Sequence, residues 1–164
     1  MSSILPLGDK FNLARCASAG TAYVSLRDCS SVLCVIDTPG SASTVTFKEA
    51  QSGAALNAQV LGTASATAVP LPAPSQGAAP VYFRQDSGVW TTVPIVAGGN
   101  YVLSTGVLTL VSATPDQVAI WVNQGALSDG FNYLLATHSA KALTYVMSPI
   151  DVARKPANIK NPYA

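Results

Sequence analysis

The side chains able to do chemistry are few. The chain holds one histidine, His138, three cysteines at 16, 29 and 34, and eight carboxylates. A Ser-His-Asp or Cys-His nucleophile system would have to use His138, which follows a strand-like run without any nucleophile elbow. One histidine, scattered cysteines and isolated carboxylates give no metal-ligand spacing. Asp9, Asp28, Asp37, Asp86, Asp116, Asp129 and Asp151 fall mostly at turns and strand ends, where Asp caps backbone amides; with Glu49 they form no glycosidase-type pair in sequence. Gly98-Gly99 lacks the strand-loop-helix context and the lysine of a phosphate loop. We therefore expect no enzyme, no cofactor and no metal, and a structural or surface role for His138.

The cysteines lack Cys-x-x-Cys spacing. They read as small buried hydrophobes in a reduced compartment, with a Cys29–Cys34 bridge formed after cell release as the alternative. The nine basic residues are dispersed and the net charge is +1, so nothing suggests nucleic acid or an acidic membrane as a partner. The aromatics Tyr82, Phe83, Trp90, Tyr101 and Trp121 sit within strand-like runs and read as core or interface packing; an exposed sugar-binding platform is the alternative.

The elements that position these groups have β texture. Runs rich in Val, Thr, Tyr, Leu and Trp recur between Gly, Pro, Ser, Asn and Asp punctuation. Strands are expected at 22–27, 32–37, 43–50, 56–61, 80–85, 89–95, 100–104, 107–112, 117–123, 131–137 and 143–148, with at most a helical turn at 139–141. Asp86-Ser87-Gly88 and Ala97-Gly98-Gly99-Asn100 read as hairpin connections. The expected fold is all-β, a single antiparallel, jelly-roll-like sandwich with its core at about 20–149. An N-terminal arm at about 1–14, a C-terminal arm at about 150–164 and a surface loop at 62–80, spaced by Pro70, Pro72 and Pro74, complete the organisation.

Charged residues make up 10% of the chain and hydrophobic ones 49%, against about 25% charged in an average domain. The apolar runs are too short for a bilayer span, and no secretory signal is read at the start. Synthesis in the cytoplasm is expected. A weakly charged, nearly neutral chain suits life inside an assembly better than life as a free monomer.

Several segments resemble a family of small β-sandwich proteins from the head gene cluster of tailed bacteriophages, capsid decoration (cement) or minor head proteins. The resemblance rests on Ile4-Leu5-Pro6-Leu7, on Ala22-Tyr23-Val24-Ser25-Leu26 followed by Cys29 and the run from Val32, and on Thr44-Val45-Thr46-Phe47-Lys48-Glu49-Ala50. It continues in Gly88-Val89-Trp90-Thr91-Thr92-Val93, in Leu127-Ser128-Asp129-Gly130-Phe131-Asn132-Tyr133-Leu134-Leu135-Ala136-Thr137, its most distinctive stretch, and in Leu143-Thr144-Tyr145-Val146-Met147-Ser148-Pro149. The 62–79 segment looks like an insertion.

The resemblance implies a non-enzymatic virion protein, made in the host cytoplasm, that stabilises the outer surface of a capsid as a homotrimer. Its partner would be the major capsid protein. Candidate subunit contacts are Ile4, Leu5 and Leu7 in the N-terminal arm, and Arg154, Lys155, Ile159, Lys160 and Tyr163 in the C-terminal arm. Two alternatives stand beside it: a carbohydrate- or receptor-binding module with a glycan or host-surface ligand, and a tail or head–tail connector subunit.

Overall fold

In a computed structural model of the chain, the structure describes residues 12–18, 20–41, 43–61, 80–110 and 114–149. Eight strands carry the fold: β1 (Asn12–Cys16), β2 (Val24–Ser25), β3 (Cys29–Asp37), β4 (Thr44–Ala50), β9 (Val107–Thr109), β10 (Gln117–Asn123), β11 (Tyr133–His138) and β12 (Leu143–Pro149). They pair in nested antiparallel fashion, β1 with β12, β2 with β11, β3 with β10 and β4 with β9. One long hairpin has in effect been rolled up, the topology of a jelly roll. Four strands remain: β5 (Gln59–Val60) pairs with β4, β6 (Val81–Asp86) and β7 (Val89–Pro94) extend the large sheet beyond β10, and β8 (Tyr101–Val102) extends the other beyond β9. The large sheet runs β1-β12-β3-β10-β6-β7, and the small sheet β2-β11-β4-β9-β8 with β5 alongside.

Period-2 alternation builds the interior, because successive side chains in a strand face opposite ways. The large sheet buries Val32, Cys34, Ile36, Val118, Ile120, Val122, Leu143, Tyr145 and Met147. Against them the small sheet sets Val45, Phe47, Leu134 and Ala136. Side chains like these each contribute about 1.5–3 kcal/mol on full burial. The β6–β7 connection turns on Ser87 (φ 50°) and Gly88 (φ 79°), the paired positive angles of the tight hairpin whose twist suits flanking strands.

Differences from the sequence expectation have local causes. β1 begins at Asn12 and so overlaps the expected N-terminal arm, whose residues 1–11 lie outside the described residues, and the core includes Ala14 and Cys16, before residue 20. The strand expected at 56–61 contracts to Gln59–Val60 because Ala55 (φ 60°) and Asn57 (φ 52°) take left-handed conformations that no ladder accepts. A short 3₁₀ turn at Gln124–Ala126, capped by Asn123, was not expected. The arm beyond 149 and the 62–79 loop lie outside the described residues. Cys29 and Cys34 are free and buried on the same strand, so the alternative bridge is excluded: five residues of strand separate them by about 16 Å, and a disulfide needs Cα atoms within about 7 Å.

Two side chains fasten β11 of the small sheet to β12 and the turn before it. Phe47 directs its N–H and C=O to Gly106 and Leu61, away from β11, so its partner Ala136 has both backbone groups on the opposite side. There β2 covers only Tyr133 and Leu134. The Tyr145 hydroxyl fills the gap: it accepts the Ala136 N–H at 2.7 Å and donates to the Ala136 carbonyl at 2.9 Å. Burial raises the Tyr145 pKa well above the ordinary tyrosine value, which keeps the donor proton in place. In His138, fully buried, Nδ1 accepts the N–H groups of Ala140 (3.2 Å) and Lys141 (2.9 Å), so the proton of the neutral ring sits on Nε2.

Tyr145→Phe leaves two buried backbone groups unpaired and is expected to cost about 1–3 kcal/mol; a urea titration checks this as a lower midpoint at unchanged slope. His138 gives a pH dependence of defined sign. Burial, then the charge of Lys141, holds its pKa below the ordinary 6.5, so the unfolded chain takes up the proton first. Stability is complete above about pH 6.5 and falls as the pH drops towards the folded-state pKa. Melting curves from pH 7.5 to 5 are expected to show wild type losing stability relative to His138→Gln, and parallel curves would refute this role.

Candidate functional site

The residues that alternate out of the large sheet form registered rows across its strands. One row reads Leu13, Val146, Leu33 and Trp121 on β1, β12, β3 and β10. The next reads Arg15, Thr144, Val35, Ala119, Phe83 and Thr92, out to β7. A third joins Asp37, Gln117, Gln85 and Trp90. Aliphatic and aromatic groups therefore occupy the centre of a surface that an isolated sandwich would make polar. Between β3, β10, β6 and β7 this face sinks into a groove of 380 Å³, lined by Leu33, Val35, Phe83, Trp90, Gln117, Ala119 and Trp121.

Trp90 is 46% exposed and Leu13 56%. Leu33, Val35, Phe83, Trp121 and Val146 are half-buried, largely by one another. The β6–β7 hairpin reaches past the sandwich, and most of β7 is exposed. Tyr82 and Tyr101 are core residues, as expected of strand aromatics, whereas Phe83, Trp90 and Trp121 face outward. The outer face of the small sheet is mixed: Thr44, Thr46 and Lys48 on β4, Thr137 on β11 and Thr109 on β9 stand among Leu135 on β11, Val107 on β9 and Val102 on β8.

A second groove adjoins the first through Val35 and is polar, lined also by Arg15, Asp37, Lys141, Ala142 and Thr144. Asp37 accepts from Gln117 Nε2 at 2.6 Å, and Asp116 accepts the Gly88 N–H at 3.2 Å. Arg84 and Asp86 form a two-pronged ion pair at the hairpin tip. Their mutual contact raises the arginine pKa and lowers the carboxyl's.

Glu49, Tyr101, Cys16 and Cys34 are buried. Glu49, fully buried, accepts the Ser128 N–H at 2.7 Å, the Ser128 hydroxyl, and Gln59 Nε2 at 2.7 Å. This fastens β4, β5 and the loop before β11 together. Nearby Tyr101 has its pKa pushed up to about 12 by burial and then by the Glu49 charge; its hydroxyl has no hydrogen-bond partner among the described residues. Cys16 and Cys34 thiols are pushed up, mainly by burial, so neither is a ready nucleophile. Among the described residues no three His, Cys, Asp or Glu side chains cluster for a metal.

The candidate contacts Ile4, Leu5, Leu7, Arg154, Lys155, Ile159, Lys160 and Tyr163 all lie outside the described residues. Sequence reasoning missed the outward groove. Its signal was the run Val118-Ala119-Ile120-Trp121-Val122, apolar at every position and so apolar on both faces of a strand. It missed Glu49 too, although strand parity places that residue with Val45 and Phe47. No family model, curated protein or solved structure matches the chain.

Proposed function

We propose that the chain is a non-enzymatic structural subunit of a tailed-bacteriophage particle, bound to the outer surface of the capsid as a homotrimer and reinforcing it. The observation that carries this reading is the apolar outer face of the large sheet, a surface suited to being covered by another protein chain. The jelly roll hosts viral capsid domains among other functions, so the fold agrees with the reading without selecting it. The structural engagement of Glu49, His138 and the cysteines supports a role that does no chemistry. Many weak, repeated contacts on a shell gain strength through effective concentration, which suits a clamp with little charge.

A second reading has its own observation. Trp90 and Trp121 present rings in an open groove beside a polar one, an arrangement that also stacks on sugars. Among the described residues lining the apolar groove, however, only Gln117 and the two indole N–H groups can hydrogen-bond, and a sugar needs several partners there.

Co-sedimentation with purified capsid shells tests the first reading. Leu33→Lys, on the apolar face, is expected to weaken retention about 10-fold or more, equivalent to about 1.4 kcal/mol. Thr46→Lys, on the opposite face, should leave it intact. Equal retention of both variants would sink the proposal, and loss of glycan-array binding in Trp90→Ala would establish the sugar reading instead. A ring around the portal axis, rather than positions across the shell, would make the chain a connector subunit.

A further inference from the structure

We infer that the apolar groove is the docking site for the C-terminal segment, from residue 150 onward, of a neighbouring copy of this chain. The inference deepens the proposed function by naming the occupant of the face; it rests on that face being a subunit contact and not on which particle it belongs to.

The first argument is where the segment starts and how far it reaches. β12 ends at Pro149, just past the row of Ser148, Ser31 and Asn123 at one end of the large sheet. The 15 residues from 150 to 164 reach about 50 Å when extended. Crossing from β12 to β6 on the same molecule takes only about 14 Å, three strand spacings. The segment is therefore long enough to reach the groove of a neighbouring copy.

The second argument is chemical fit. Ile150, Val152, Pro156, Ile159, Pro162 and Tyr163 supply apolar groups at irregular intervals, with prolines that favour an extended conformation and suit aromatic-lined grooves. Trp90, Trp121 and Phe83 line such a groove, open at the β7 side. The segment's Arg154, Lys155 and Lys160 outnumber its one carboxylate, Asp151. At the hairpin end Asp116 accepts the Gly88 N–H, and Asp37 lies in the adjoining polar groove together with Arg15 and Lys141, while the Arg84–Asp86 pair alternates to the other face of β6. Basic residues near one end of an apolar peptide would give it a direction in the groove.

The test uses the full chain, its Ile159→Asp/Tyr163→Asp variant, and a synthetic peptide of residues 150–164. Wild type is expected to sediment as an oligomer at tens of micromolar, and the double variant as a folded monomer by circular dichroism. Adding the peptide to that monomer should produce a saturable change in tryptophan emission, weakened about 10-fold by Trp90→Ala; a scrambled peptide should produce none. The inference is overturned if the peptide gives no saturable change on the monomeric variant. It is also overturned if the double variant remains oligomeric, or if wild type is a monomer whose tryptophans become more accessible to acrylamide when the segment is altered, which would mean docking on the same molecule. Capsid retention that needs Leu33 but is indifferent to Ile159 and Tyr163 would overturn the inference and leave the proposed function standing.

Discussion

A single hydroxyl settles how the two sheets close on each other. Rolling a long hairpin into a jelly roll leaves β11 with a short neighbour, because β2 pairs with only two of its residues. Ala136, farther along, would present a buried N–H and C=O to nothing. The Tyr145 hydroxyl satisfies both from across the interior. Leaving them unmade would cost more than a typical net hydrogen bond contributes, since desolvation of both groups would go uncompensated. The bond also fixes the parity of β12. With Tyr145 inside, Val146 and Thr144 must point out, and in register with them so must Leu33 and Val35 on β3, then Trp121 and Ala119 on β10. A slip by one residue would exchange the faces of the strand. The outer apolar surface is thus a consequence of the same register that fills the core.

The sequence was informative wherever one face of a strand is apolar and the other polar. In Thr44-Val45-Thr46-Phe47 the alternation alone distinguishes core from surface, and β4 lies where expected. The central strands were harder. Val32 to Ile36 and Val118 to Val122 are apolar throughout, so their existence was plain but not what covers each face. Telling Tyr82 from Phe83, or Ile120 from Trp121, requires knowing the register of four strands at once. β1 was hidden for another reason: of its described side chains, 13–16, the buried ones are Ala14 and Cys16, too small to signal a strand. The short β5, β8 and β2 were overextended because positive backbone angles and turns are invisible to composition unless glycine marks them, and Ala55 and Asn57 do not.

Glu49 shows how local rules fail where long-range partners decide. A carboxylate at an inward strand position is an error by hydrophobic patterning, and its burial is costly without donors. The donors arrive from elsewhere: Ser128 is 79 positions away and Gln59 is ten. Asp129-Gly130-Phe131 directly follows Ser128, and Gly130 adopts φ 81° in the turn that presents it. What reads along the chain as a motif adjoins, in space, a hydrogen-bonded cluster in which Glu49 is fully buried while Ser128 and Gln59 keep partial exposure.

The same reasoning bears on where this molecule meets its ligands. Jelly rolls that bind small molecules do so in the space between their sheets or at the loops of one end. Here the space between the sheets is taken by Phe47, Tyr82, Tyr101 and Tyr145, all fully buried. Among the described residues the outer faces of the two sheets differ in degree: on the small sheet Thr44, Thr46 and Lys48 stand beside Leu135 and Val107, whereas the Leu33–Trp121 row and its neighbours are more continuously apolar and gain free energy from being covered. A chain with so few charges does not distribute them evenly. Asp37 and Asp116 sit at strand ends and Arg84 pairs with Asp86 near the hairpin tip, while Arg15 and Lys48 stand in the outward rows of the two sheets, so that the Leu33–Trp121 row itself holds no charge.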